Sequence, residues 1–264
     1  MNIIALIKQV ADTAQLSGRM DGLQLMADGG PRIVNPWDEY ALEMAIQVKE
    51  AHSGKVTLLC MGRAEATEAL KTGLAMGADE AVLISDPALE DSDCLTTARV
   101  LTAAIRKVGD FDLLVAGRSA IDGNTAATSI QIAALMDRPQ LSYVAELKAV
   151  DPEARSLTAV RLLEGSRETV RCRLPAVISV VKEIGEPRYP SFIGIRRAAG
   201  ATIPVWSIAD LGLEADQVGR AGSQVMWPDV YLPPAREARV EWIEGSPAEA
   251  AEVLADKLIS EQVI

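Results

Sequence analysis

The sequence predicts an α/β fold, a mostly parallel and doubly wound sheet followed by a long C-terminal arm. Three observations carry that expectation. Short apolar runs alternate with amphipathic segments of helical length through the first half, the pattern of a parallel sheet with crossover helices. Ile3-Ile4-Ala5-Leu6-Ile7 is apolar without interruption, as a strand buried on both faces must be. Leu113–Leu135 reads as an apolar strand, a polar glycine-bearing turn and a helix rich in small residues, a junction that presents backbone N–H groups to an anion.

The elements follow in order. After the first strand comes a glycine-punctuated stretch (Gly18, Gly22, Gly29, Gly30) with room for a small hairpin around Leu23–Met26. Asn35-Pro36-Trp37-Asp38-Glu39 opens a helix, with Asn35 at the N-cap, Pro36 at the first position and acids in the first turn. Ala41, Leu42, Met44, Ala45 and Val48 continue it at helical spacing. Lys55–Met61 is the next strand, Ala64–Met76 a helix closed by Gly77, and Glu80–Ser85 a third strand. Cys94–Val108 is a helix ended by Gly109. Leu113–Ala116 is the fourth strand, and the helix after it is expected from Asn124 to Met136. In sheets of this kind ligands bind beyond the carboxyl ends of the strands, so the turns after Ile7, Met61 and Ala116 can converge on one ligand.

The second part has another rhythm. Gln140–Val150, Ser156–Leu163 and Glu168–Val181 are strand-like with short polar turns, an antiparallel or mixed edge. Periodicity fades from Glu183, through Trp227-Pro228 and Pro233-Pro234, to a short amphipathic helix at Pro247–Ile259. The expected division is 1–182 for the nucleotide-binding-type unit and 183–264 for an arm that wraps a partner subunit, with packing on its own unit as the alternative.

Composition narrows the function. A net charge of −11 argues against a nucleic-acid partner, which needs a basic face. It does not oppose a small nucleotide held by local N–H groups. The three cysteines, Cys60, Cys94 and Cys172, have no metal-ligand spacing, and His52 is the only histidine, which speaks against zinc and against Ser-His-Asp chemistry. Neither a Walker-type phosphate loop nor the usual dinucleotide fingerprint occurs. No carboxylates stand out as an acid/base couple, so no catalytic residue and no metal site is expected. The N-terminus lacks signal-peptide character and no segment is long enough to span a bilayer, which reads as a cytoplasmic protein.

At the long turn Gly123 allows close approach of a ligand, while Asn124 and Thr125 can cap the helix. A nucleotide phosphate is the natural guest; an ordinary turn capped by Asn124 is the alternative. Asp122 can accept from a ligand hydroxyl or cap its own turn.

The residues IKQV (7–10), NPWDEYALEMAIQVKE (35–50), MGADEAVLI (76–84) and AGRSAIDGNTAAT (116–128) resemble, in that order, the β subunit of electron-transfer flavoproteins. Leu163-Glu164-Gly165, Leu174-Pro175-Ala176-Val177 and Glu186-Pro187-Arg188-Tyr189-Pro190 fit the same family. The resemblance covers roughly residues 1–200. It implies an adenine-nucleotide-hydrolase-like fold, and a heterodimer with a larger α subunit that carries FAD. It implies an electron carrier without turnover of its own. Flavoprotein dehydrogenases are the implied partners, with a membrane-associated quinone oxidoreductase among the implied acceptors.

The resemblance also places a nucleotide site. Its residues here are Leu6, Ile7 and Lys8; Asn35, Pro36 and Asp38; Met61; Ser92, Asp93 and Thr97; and Gly117, Arg118, Ser119, Asp122, Gly123, Asn124, Thr125, Ala126 and Thr128. Family members hold either AMP or, in bifurcating and nitrogen-fixation-associated members, a second FAD. Bifurcating members read GSDTLATS, of which Ser92, Asp93, Leu95 and Thr97 match while Asp91, Cys94, Thr96 and Ala98 depart. They also read DGDTAQVGP; Asp122-Gly123 and Thr125-Ala126 are kept, whereas Thr128-Ser129 resembles AMP-holding members. Both occupants, FAD and AMP, stay open. The segment Pro187–Arg197 corresponds to the family's partner-recognition loop, with Phe192 as its apolar anchor and Arg196 and Arg197 as steering charges. Packing of Phe192 into the chain's own core is the alternative. Two readings from other classes compete: a stand-alone adenine-nucleotide-binding regulatory module and an adenylating enzyme.

Overall fold

The computed structural model describes residues 1–15, 31–226 and 240–264. The hairpin expected around Leu23–Met26 and the Trp227-Pro228 and Pro233-Pro234 pairs lie outside the described residues. Residues Met1–Trp227 and Pro228–Ile264 form two separate compact units.

The first unit is built on a nine-stranded sheet in the order β11-β5-β4-β1-β6-β10-β7-β8-β9. Its strands are β1 (Asn2–Leu6), β4 (Lys55–Met61), β5 (Glu80–Ile84), β6 (Leu113–Gly117), β7 (Gln140–Asp151), β8 (Ser156–Leu163), β9 (Ser166–Arg173), β10 (Ala176–Val180) and β11 (Val205–Trp206). Pairings from β11 across to β7 are parallel; β7–β8 and β8–β9 are antiparallel. A small antiparallel pair, β2 (Gln9–Ala11) and β3 (Arg32–Val34), leads into helix α1 (Pro36–His52).

Two-residue periodicity sorts the side chains of β1 onto opposite faces. Ile3, Ala5 and Ile7 join a core with α1 and with α2 (Thr67–Met76). Ile4 and Leu6 join the other core, with α3 (Cys94–Val108) and α4 (Thr128–Leu135). The sheet is therefore doubly wound, as the apolar run at Ile3–Ile7 requires. The connections through α1 and α2 lead outward from β1 to β4 and β5, and α3 then carries the chain back to β6 on the far side of β1. Strand order reverses between β1 and β6, which opens a crevice at their carboxyl ends.

The sequence reading needs three corrections. Glu168–Val181 is not one strand. β9 lies on the antiparallel edge and β10 is buried between β6 and β7; Pro175 has no N–H with which to continue a ladder. The helix expected from Asn124 begins at Thr128, because Asn124 and Ala126 take left-handed backbone conformations (φ 45° and 52°). The division expected at 182/183 falls inside the first unit. Val205 and Trp206 pair with Leu83 and Ile84 of β5, Val218 is buried in the α3-side core, and the Ser223 hydroxyl accepts from the Asp93 N–H at 2.8 Å. Apolar residues of the expected arm, among them Trp206, Ile208, Leu211 and Leu213, cover that core, so they bury surface without a partner chain. The short helices α5 (Phe192–Ala199) and α6 (Gly219–Gly222) belong to this stretch.

In the second unit α7 (Pro247–Ser260) stands close to where the sequence predicts it. Ser246 and Glu249 form a capping box ahead of Pro247 at the first position. None of its residues is buried, and Val253, Leu254 and Ile259 are exposed.

One glycine at the crevice has no steric alternative. A Cβ on Gly117, the last residue of β6, would lie 2.5 Å from both Asp38 Oδ1 and the Trp37 carbonyl carbon. Gly117→Ala is expected to lower unfolding free energy by about 1–3 kcal/mol. Urea titration checks this through a lower midpoint at unchanged slope; an unchanged midpoint would mean that α1 can retreat at no cost.

Candidate functional site

The crevice is assembled from the carboxyl end of β1, the start of α1 and the turn after β6. Asn35 is the N-cap residue of α1, yet its side chain makes no cap bond. Its Nδ2 donates to the Ser119 carbonyl at 2.9 Å, and its Oδ1 accepts from the Ile121 N–H at 3.1 Å. Its own N–H donates to the Lys8 carbonyl at 2.8 Å. A buried amide thus ties the helix start to the long turn and to β1, and each of its polar groups finds a partner.

Asp38, in the first turn of α1, makes the second tie. Its Oδ2 accepts from the Lys8 N–H at 2.8 Å and its Oδ1 from the Gly117 N–H at 3.2 Å. The residue is 7% exposed. Burial pushes its carboxyl up to about 7, although the bonds from Lys8, Asn35 and Gly117 and the Lys8 charge favour the ionised form. Asp38 was expected among the ligand-binding residues; its contacts are to the backbone of the two diverging strands.

The mouth of the crevice is more open. Lys8 Nζ pairs with Asp122 Oδ2 at 2.7 Å, the two side chains being 49% and 30% exposed. Such an exposed pair contributes little to stability, and its ions remain available to a charged ligand. Asp122, Gly123, Asn124 and Thr125 are exposed in succession. Gly123 has nothing within 4 Å of where a Cβ would stand. Asn124 does not cap α4; its Oδ1 accepts from the Ser119 hydroxyl at 3.0 Å. Among the described residues no side chain caps α4, which leaves the start of that helix to other acceptors. Arg118 stacks over the Trp37 ring, its guanidinium carbon 4.5 Å from the centroid, and its buried Nε has no partner among the described residues.

The remaining expected residues divide. Leu6 and Ile7 are buried strand-end residues, Pro36 starts α1, and Met61 is the half-buried end of β4. Ser92, Asp93 and Thr97 gather at the start of α3, but the Asp93 carboxylate is committed within the chain. It accepts from the N–H groups of Thr96 (2.8 Å), Gln224 (2.8 Å) and Val225 (3.1 Å). Burial opposes its ionisation, but those bonds outweigh it and hold the carboxyl below the usual range. The Ser92 hydroxyl donates to the Leu89 carbonyl. Ala126 and Thr128 flank the uncapped start of α4. Two residues that the sequence reading left out of the site join it. Trp37 supports Arg118, and the Cys94 thiol lies 3.1 Å from the Thr125 hydroxyl, which joins the start of α3 to the long turn. The second position of a proline-led helix was the available signal for Trp37.

Among the described residues no group of three or more His, Cys, Asp or Glu could hold a metal ion, and no helix is long and apolar enough to cross a membrane. The arrangement offers N–H and hydroxyl donors, a stacked guanidinium and one exposed ion pair, which suits binding of an anion.

Asp38 gives the crevice a pH signature. Its folded-state value lies above the ordinary aspartate value of 3.8, so its contribution to stability is fully present below about pH 4 and is lost as the pH rises towards 7. Thermal unfolding of wild type and Asp38→Asn from pH 4 to 8 is expected to show the wild type losing ground to the variant up to about pH 7, then a constant difference. A difference that does not vary with pH would mean that Asp38 titrates in the ordinary range.

Comparison with known proteins agrees with this architecture. The family described as "Electron transfer flavoprotein domain" matches residues 23–211. The electron transfer flavoprotein subunit beta of Thermoanaerobacterium thermosaccharolyticum is 39% identical over the full length of both chains. The caffeyl-CoA reductase-Etf complex subunit CarD of Acetobacterium woodii is 37% identical, again over both full lengths. Protein FixA of Azorhizobium caulinodans is 35% identical, over 99% of this chain and 95% of that protein. Both the family match and the full-length relatives show that the chain belongs to the electron-transfer flavoprotein family, as a β subunit.

Proposed function

We propose that the chain works in a heterodimer with a larger, FAD-carrying α subunit. The pair shuttles electrons between flavoprotein dehydrogenases and a downstream acceptor. The crevice between β1 and β6 holds an adenine nucleotide, FAD or AMP. FAD there would supply a second redox centre and make electron bifurcation available, whereas AMP would serve as a structural ligand.

The observation that carries the nucleotide site is the donor set at the reversal of strand order. The start of α4 lacks a side-chain cap, and space lies open beside Gly123. Among the described residues, Arg118 Nε is buried without a partner. These features fit an anionic group approaching the turn. The residues then act by holding. Lys8 and Asp122 are free to exchange their mutual pairing for a ligand's phosphate and hydroxyl, and Asn35 and Asp38 fix the frame in which they do so. Partner names among the relatives, such as the caffeyl-CoA reductase complex of CarD, support a protein electron donor or acceptor.

One observation favours the alternative of a stand-alone adenine-nucleotide-binding module. Residues 183–226, expected to reach for a partner, fold onto the first unit. Against it, α7 exposes apolar residues with none buried, which suits a helix completed by another chain.

Gly123→Val separates fold from ligand. The position has open space and is not in the left-handed region, so stability is expected to change by no more than about 0.5 kcal/mol. Nucleotide released from the purified α–β complex is expected to fall by one equivalent. Full occupancy in the variant would mean that no phosphate lies against Gly123.

A further inference from the structure

Thirteen residues of the first unit, Pro187–Ala199, carry the most exposed large apolar side chains among the described residues of that unit. Tyr189, Phe192 and Ile193 are 94%, 93% and 84% exposed. Isolated apolar residues on a surface are ordinary, but three on one short segment are not. The segment is also held with unusual firmness, given how exposed it is.

Its start is clamped by Arg188. Five hydrogen bonds run from this residue to two carboxylates on one face of α1. The backbone N–H and Nε donate to Glu43 Oε2 at 3.1 and 2.8 Å, and Nη2 to Glu43 Oε1 at 3.1 Å. Nη1 and Nη2 donate to Glu50 Oε1 and Oε2 at 2.6 and 3.0 Å. Glu43 is only 5% exposed and takes a further bond from Gln47 at 2.8 Å. Burial opposes ionisation of Glu43, and the Arg188 and Gln47 bonds overcome it and hold the carboxyl low. A partly buried ion pair of this kind, with Glu43 buried and Arg188 and Glu50 reaching solvent, adds little net stability. What a planar guanidinium between two carboxylates does supply is a fixed direction for the chain.

The far end is seated as closely. Ser191 caps α5 by accepting from the Gly194 N–H at 3.0 Å. Gly194 lies so near α2 that a Cβ there would stand 2.1 Å from the Ala75 carbonyl oxygen. Arg197, expected to steer partners, donates to the Leu74 and Ala78 carbonyls at 3.0 and 3.1 Å and closes the end of α2. Arg196 makes no such bond among the described residues and is exposed.

We infer that Arg188, gripped by Glu43 and Glu50, is a positioning residue that fixes Tyr189, Phe192 and Ile193 as one prearranged surface for a protein partner. The inference rests on the proposed exchange of electrons with flavoprotein dehydrogenases and on docking at the Pro187–Arg197 segment, which the family resemblance implies with Phe192 as its anchor. Its physical basis is that ordering a loop and its side chains on binding weakens association, and a segment already ordered escapes that loss. A Lys at 188 keeps the charge but not the fork.

The test uses the α–β complex and a flavoprotein dehydrogenase that reduces the wild-type complex. Arg188→Lys and Glu43→Gln are compared with Phe192→Ala. Both clamp variants are expected to speed hydrogen exchange of the 189–195 amides about tenfold. They should raise KM for the dehydrogenase about tenfold, with kcat within twofold and nucleotide content unchanged. Phe192→Ala is expected to raise KM without altering exchange. If Phe192→Ala alone raises KM, docking at Phe192 stands and the positioning role of Arg188 falls. If no variant raises KM, docking at this segment falls, and the role of Arg188 falls with it.

Discussion

One carboxylate between two strands holds the centre of this protein together. Where β1 and β6 part, Asp38 accepts from the Lys8 N–H, two residues beyond the end of β1, and from the Gly117 N–H at the end of β6. A doubly wound sheet must open at the point where strand order reverses. Something has to set the width of that opening, and here it is the first turn of α1. Gly117 is the corollary, since any larger residue would occupy the place of the Asp38 oxygen. Asn35, one turn earlier, does for the long turn what Asp38 does for the strands.

The same helix serves two ends of the molecule. Its first turn frames the crevice, while Glu43 and Glu50 further along hold Arg188 and the exposed segment behind it. The acids of α1 are accordingly unlike the solvated acids expected on a surface helix. Glu43 and Asp38 are buried and each answers a specific donor. A chain with net charge −11 can bind an anion in such a setting because backbone N–H groups and a few placed cations set the local field.

Much of the fold was legible in the sequence. The limits of the Cys94–Val108 helix and the Ser156–Leu163 strand agree to the residue, because strong periodicity is closed by glycine or turn residues. The errors share a cause. Asn124 carries the chemistry of a helix cap, but a left-handed backbone and the Ser119 hydroxyl claim it for the turn. Asp93, Asp38 and Arg197, expected at ligand or partner contacts, also bond to backbone brought near by the fold, which no local pattern announces. Local patterns tell which residues can form a bond; only the tertiary arrangement tells which partner arrives. The Arg188 clamp, joining residues 43, 50 and 188, was invisible for that reason.

The β1–β6 crevice is proposed as a nucleotide site in an electron-transfer flavoprotein heterodimer. The most direct measurement is to co-express the chain with its α subunit, denature the purified complex, and count the released nucleotides per heterodimer. One FAD and one further adenine nucleotide, FAD or AMP, are expected per heterodimer. Release of a single FAD and nothing else would contradict the proposed site.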